Sequence, residues 1–306
     1  MFLLGLVTWA AQPTPILLDH HQHLFRRQTG GPPLPAVSAT DLIKLLDEAG
    51  IQRAVVLSVA YQISNPNRPA LTNEHARVVS ENDWTSQEVA QYPDRLRGFC
   101  GINPLKEYAL VELLRCAKDP HLRHGLKLDF GNSDVDLDNP EHITRTREVF
   151  RAANSNGMAI VVHMRPSVTL KRPYGVAQAR RFLTELVAAA PSVPIQIAHL
   201  GGAGGYDDPA IDQALSVFIE AISQGDARMT HVYFDASGVA GLGQWEEKAS
   251  VIATRIRQLG IRRVLYGSDG AIPGNSPAEA WAAFRRLPLT EAEFQLIRSN
   301  VAPYWR

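Results

Sequence analysis

Short apolar runs alternate with longer amphipathic segments along nearly the whole chain. The runs fall at residues 16–18, 53–58, 96–102, 125–130, 158–163, 194–199, 231–235 and 263–269. Each is rich in Val, Ile, Leu or Phe and reads as a buried strand. Between them, apolar residues recur with helical spacing at 41–49, 72–91, 106–118, 141–154, 177–190, 209–223 and 245–258. Two more helical segments, near 277–286 and 290–299, finish the chain. Thr40 is placed to cap the first helix and Gly50 to end it. Residues 30–35 form a Gly/Pro loop. Eight strand–helix units without a dividing linker predict one α/β domain, a (β/α)₈ TIM barrel over residues 16–306.

Composition agrees with that architecture and removes some functions. A length of 306 residues suits one such barrel, and 45% hydrophobic with 20% charged residues allows a large core. Lys+Arg and Asp+Glu are equal at 31 each, and no basic stripe stands out, so nucleic acid is not expected as a partner. Cys100 and Cys116 form no CxxC motif and read as buried free thiols. Residues 1–15 stand apart as a signal-like or N-terminal extension. Met1 to Val7 is apolar and Thr8-Trp9-Ala10-Ala11 could hold a small-residue cleavage site, but a basic leading region is missing. Cytoplasmic and exported locations both stay open. The run is too short to span a membrane, and no other stretch reads as transmembrane.

The chemistry concentrates where the strands end. Asp19-His20-His21-Gln22-His23 follows the first apolar run. Strand alternation puts His21 and His23 on one face, shared by Asp19, and turns His20 away. His163, His199, Asp235 and Asp269 close the fifth to eighth runs, one polar group per βα unit. In this fold the C-terminal strand ends form the reactive rim. Three histidines and a carboxylate suit one divalent metal ion. Zn²⁺ is preferred, and Mn²⁺, Fe²⁺ and Co²⁺ are acceptable. Asp19 is expected to orient a ligand imidazole, and Asp235 is read as supporting or structural. Lys127, within the fourth run, and Arg165, just after His163, are candidates to meet an anionic substrate group. The Gly-rich stretch 201–205 lacks the Lys-Ser/Thr of a P-loop and reads as backbone close to the pocket.

Asp19-x-His21-x-His23, His163, His199 and Gly267-Ser268-Asp269 together resemble the amidohydrolase superfamily. The nearer likeness is to its amidohydrolase-2 branch, which includes aminocarboxymuconate-semialdehyde decarboxylase and related metal-dependent hydrolases. It spans residues 17–305 and takes in Tyr233-Phe234-Asp235-Ala236-Ser237-Gly238 and Asn300-Val301-Ala302-Pro303-Tyr304. The resemblance implies that His21, His23, His163 and Asp269 bind one metal ion. His199 and Asp269 are then the catalytic groups, with the roles of proton acceptor and carbonyl polariser undivided between them. It favours a single ion over a pair bridged by a carbamylated Lys127. The implied activity is hydrolysis of a C–O or C–N bond in a lactone, amide or cyclic amide by a metal-activated water. The alternative is non-oxidative decarboxylation of a small unsaturated or aromatic acid. The partner is a small-molecule substrate, and homo-oligomerisation is left open.

Overall fold

The computed structural model describes residues 15–26, 36–206, 208–241, 245–271 and 275–305. The signal-like segment, apart from Pro15, and the 30–35 loop lie outside these residues. Eight parallel strands follow one another: β1 (Asp19–Gln22), β2 (Ala54–Leu57), β3 (Leu96–Gly101), β4 (Gly125–Asp129), β5 (Ala159–His163), β6 (Ile195–Ile197), β7 (Val232–Asp235) and β8 (Val264–Leu265). Each pairs with its neighbours in chain order. Two backbone hydrogen bonds join the ends of the sheet, His20 N to Tyr266 O and Asp269 N to His21 O, both 2.9 Å. The result is a nearly closed (β/α)₈ barrel in one domain, as the alternating pattern predicts.

Strand alternation sorts the core into two layers. Ala54, Val56, Leu126, Leu128, Ile160 and Val162 pack outward beneath the helices. Val55, Leu57, Ala159 and Val161 pack with Leu18, Phe99 and Trp305 in a separate inner cluster. Lys127 and Asp129 on β4, and His163 on β5, share the inner parity. The inner layer is therefore apolar low in the barrel and polar at the rim. Trp305 closes the lower mouth, with the Arg53 and Arg97 guanidiniums 5.6 and 4.7 Å from its ring centroid.

Several element boundaries differ from the sequence pattern. The first strand starts at Asp19, while Ile16 makes only an isolated bridge to Ile51. Ser38, not Thr40, caps helix Ala39–Glu48. Its side chain accepts from Asp41 N, and the Asp41 carboxylate accepts from Ser38 N. Starting the helix at Ala39 buries that residue with Leu42 and Leu46. The continuous helix expected over 177–190 is instead an α-turn (Val176–Arg181), a π-turn (Phe182–Leu186) and a 3₁₀ turn (Val187–Ala189). The wider turn accommodates Phe182 between Phe130, Phe150 and Phe218. The helices expected from 106 and 245 begin later, at Ala109 and Ala249. Strand eight keeps only Val264 and Leu265 because the chain beyond them bonds to β1.

Cys100 and Cys116 are joined in a disulfide, not free as the spacing suggested. Cys100 faces outward from β3 and Cys116 lies on the inner face of helix Ala109–Cys116. That brings their Cα atoms to 6.1 Å, within reach of a disulfide. Among the described residues no helix is long and apolar enough to cross a membrane.

Candidate active site

His21 and His23 reach the rim from β1 and the residue after it, where the register with β2 is irregular. His21 Nδ1 donates to Asp235 Oδ2 at 3.0 Å. His23 Nδ1 donates to the Leu57 carbonyl at 2.7 Å. Each ring is thereby held with Nε2 as the unprotonated nitrogen, the one that in His21 lies 3.3 Å from Lys127 Nζ. Both Nε2 atoms face Asp269 Oδ1, at 3.8 Å from His21 and 3.5 Å from His23. The three ligand atoms all lie within 4.8 Å of one another. Burial lowers the pKa of both imidazoles, that of His23 to about 3, against the pull of Asp269. The pair is therefore neutral at pH 7, the form in which imidazole ligates a metal.

Asp269 does not end a strand. It stands beyond β8 with φ 51°, in the left-handed region that costs a non-glycine residue about 1–3 kcal/mol. Two bonds hold it there: its N–H to His21 O, and Asn275 Nδ2 to its carbonyl at 2.8 Å. Burial pushes its carboxyl pKa up, but His21, His199, His23 and Lys127 outweigh that, and the net shift is downward. His199 likewise lies past β6, with φ 54°. Its N–H donates to Asp235 Oδ1 at 3.0 Å and its Nδ1 to Ser237 O at 2.9 Å. Its ring packs between His21 and His163, with centroids 4.8 and 5.1 Å away. Strand parity could not place either residue, because neither is in a strand.

His163 ends β5 as expected, directly opposite Asp129 on β4. Its Nδ1 lies 3.5 Å from Asp129 Oδ2, and burial lowers its pKa to about 4. His163 joins the cluster of imidazoles but is outside the tight group formed by His21, His23 and Asp269. Lys127 is buried, with Nζ 3.3 Å from His21 Nε2. Burial lowers its pKa, opposed by Asp129, Asp269 and Asp235.

Arg165 borders a cleft of about 270 Å³ beside His163, together with Asn65, Asn67, Asn132, Ser167 and Thr169. Its Nε bonds to Asp208 at 2.9 Å and its guanidinium lies 4.8 Å from the Tyr174 ring centroid. Of the Gly-rich stretch, Ala203 lines this cleft and the glycines do not.

Asp19 touches no imidazole ring. It accepts from the His21 N–H, Gln22 and Ser268, because β1 directs its carboxylate toward the segment after β8. The orienting carboxylate is Asp235, which also accepts from Gln196 Nε2 at 2.7 Å and from Ser237. Burial would raise the Asp235 pKa, but His21 and His199 hold it far below the usual carboxylate range. His20 is turned to structural use, its nitrogens bonded to Tyr266 O and Ala302 N. The sequence pattern overlooked Asp129, Asn132, Gln196 and Ser237. Asp129 had a readable signal, since it stands at the end of the fourth apolar run.

The amidohydrolase family model (Amidohydro_2) matches residues 18–300, and the chain belongs to that family of enzymes. No curated protein sequence matches it. Solved structures of similar fold include 5-carboxyvanillate decarboxylase LigW from Sphingomonas paucimobilis, at TM-score 0.66 and 18% identity over 94% of this chain and 97% of that one. A probable 2-pyrone-4,6-dicarboxylic acid hydrolase from Acinetobacter baumannii aligns at TM-score 0.60 and 18% identity, over 92% and 96% of the two chains. A dihydroxybenzoic acid decarboxylase from Polaromonas, with bound manganese and the inhibitor 2-nitroresorcinol, aligns at TM-score 0.59 and 17% identity, over 93% and 94%.

Proposed function

We propose that this protein is a metal-dependent hydrolase that cleaves a C–O or C–N bond of a lactone, amide or cyclic amide. The observation that carries the reading is the convergence of two neutral, pre-oriented imidazoles on one ionised carboxylate. That donor set fits a divalent cation, with His163 as the further ligand from β5. Zn²⁺ suits nitrogen-rich donors best, and Mn²⁺ is supported by its presence in the Polaromonas decarboxylase. Such an ion supplies a Lewis acid that makes water nucleophilic near neutral pH.

The chain's own groups do the rest. Asp269, with its side chain 27% exposed, faces the open side of the site and is placed to accept the proton of the attacking water. His199 is the second acid–base group. Water adds to the carbonyl, the acyl bond to oxygen or nitrogen breaks, and the leaving atom receives the proton. Arg165 and Lys127 are the proposed substrate contacts. Arg165 is the one cationic side chain among the described residues lining the cleft, and Asp208 already neutralises it. Such a cleft suits a neutral acyl compound that accepts hydrogen bonds better than an aromatic carboxylate.

Decarboxylation is the second reading. It is supported by the Lys127 amine beside His21 and by the decarboxylase activity named for most of the structures of similar fold. Elemental analysis of the purified protein tests the metal. A screen of lactones, amides and aryl carboxylic acids then separates the two chemistries, since a decarboxylase releases CO₂ and a hydrolase consumes water. Absence of bound metal, with no activation by added Zn²⁺ or Mn²⁺, overturns both.

A further inference from the structure

Asn65, Asn132 and Asp129 form a hydrogen-bonded chain running from the cleft wall, and the carboxylate at its end lies beside His163. Asn65 Nδ2 donates to Asn132 Oδ1 at 2.8 Å. Asn132 Nδ2 donates to Asp129 Oδ2 at 2.9 Å, and Asn132 N donates to Asp129 Oδ1 at 2.8 Å. Asp129 Oδ2 lies 3.5 Å from His163 Nδ1. We propose that Asp129, Asn132 and Asn65 are positioning residues that hold the His163 ring with Nε2 toward the metal site and tie that ring to the substrate cleft. The inference rests on the reading of His163 as a metal ligand.

Three observations support it. First, each of the other imidazoles of the site has an acceptor for its Nδ1: Asp235 for His21, Leu57 O for His23 and Ser237 O for His199. For His163 the only carboxylate within ion-pair distance of Nδ1 among the described residues is Asp129. A ligand histidine needs such an acceptor to keep its other nitrogen available.

Second, Asp129 is more than the cap of the short turn Phe130–Ser133. The cap is the bond from Asn132 N alone. The Asn132 side chain adds a bond to the other carboxylate oxygen, the one facing His163, and so fixes the carboxylate plane. With only 3% exposure, Asp129 has little water to take that role.

Third, the chain continues past the turn. Asn65 Oδ1 accepts from Asn67 N at 2.9 Å, and both asparagines line the cleft. The loop after β2 thus lines the cleft on one side and, through Asn132, reaches the carboxylate beside His163 on the other. A loop displaced by a poorly fitting substrate would loosen Asn132, and through it the ligand ring.

Titration of metal-stripped protein with Zn²⁺ against a chromophoric chelator tests the proposal. Asp129→Asn keeps a good capping oxygen but replaces the carboxylate. It should raise the Zn²⁺ Kd by about 10–100-fold, as expected for a lost outer partner of a ligand histidine, while the melting of the metal-free protein stays near wild type. Asn132→Ala keeps the backbone cap and should raise Kd by a smaller factor. Asn65→Ala should raise KM more than it raises the Zn²⁺ Kd. Wild-type Zn²⁺ affinity in folded Asp129→Asn and Asn132→Ala overturns the relay and leaves the hydrolase reading intact. If Asp129→Asn does not fold, Asn132→Ala decides alone. A wild-type protein that takes up no metal overturns the relay and the proposed function together.

Discussion

Asp235 Oδ2 on β7 accepts a 3.0 Å hydrogen bond from His21 Nδ1 on β1, spanning the short β8 between them with both side chains buried. This contact decides which nitrogen of His21 faces the site. The same carboxylate holds the His199 N–H, so one buried charge positions His21 and His199 together. Asp235→Asn keeps the shape but puts an amide where an acceptor is needed. It is expected to weaken metal binding and activity by about 10–100-fold, read by metal titration beside a rate assay. Unchanged affinity would show that His21 needs no orienting partner.

His163→Ala and His21→Ala are expected to lose metal and activity together. His199→Ala should lose activity and keep most of the metal, as expected of the proposed acid–base group rather than of a ligand. Elemental analysis of the three variants decides; an empty site in His199→Ala would make His199 a ligand.

Asp269→Asn retains one oxygen toward His21 and His23 but cannot take a proton. Turnover should fall by about 10²–10⁴-fold, the range for a lost general base, with a smaller loss of metal than Asp269→Ala. Near-normal turnover in metal-loaded Asp269→Asn would move the base role to His199.

The metal-free protein should lose stability as pH falls from about 6.5 toward 4. Burial lowers the pKa of His20 and His163 to about 4 and of His23 to about 3, from 6.5. In that window the unfolded chain binds protons that the folded chain refuses, so acid favours unfolding. Asp19 acts in the opposite sense. Burial raises it from 3.8 to about 6, so the folded state gains its proton first. His124 is likewise lowered to about 4 by burial, and four histidines against one carboxylate leave a net loss on acidification. Urea melts at pH 7.5, 6 and 4.5 measure it, and a midpoint that rises toward pH 4.5 would contradict the burial of the histidines as neutral rings.

The Cys100–Cys116 disulfide closes a loop with a sequence separation of 16 residues. Removing a crosslink of that span costs about 2–4 kcal/mol. Cys116→Ala, or reduction under mild denaturant, should lower the unfolding midpoint, and thiol labelling of the unreduced protein after unfolding in denaturant should find neither cysteine. Labelling of both would show them reduced.

The alternation of apolar runs and helical segments determined the barrel, because a strand buried on both faces and a one-sided helix each leave a distinct period in the sequence. The residue types at the strand ends, above all His21, His23 and His163, were legible for the same reason: in this fold a strand end is also a rim position. Periodicity holds only inside regular structure. Asp269 and His199 sit past their strands in left-handed conformations, set by bonds to His21 and Asp235 that come from distant parts of the chain. The partner of each imidazole was likewise decided by packing across strands. Sequence offered Asp19 as the orienting group because it is two residues from His21, whereas the barrel brings Asp235 to the ring from 214 residues away. Cys100 and Cys116 met because one strand face and one helix face oppose each other, a relation that spacing alone does not encode.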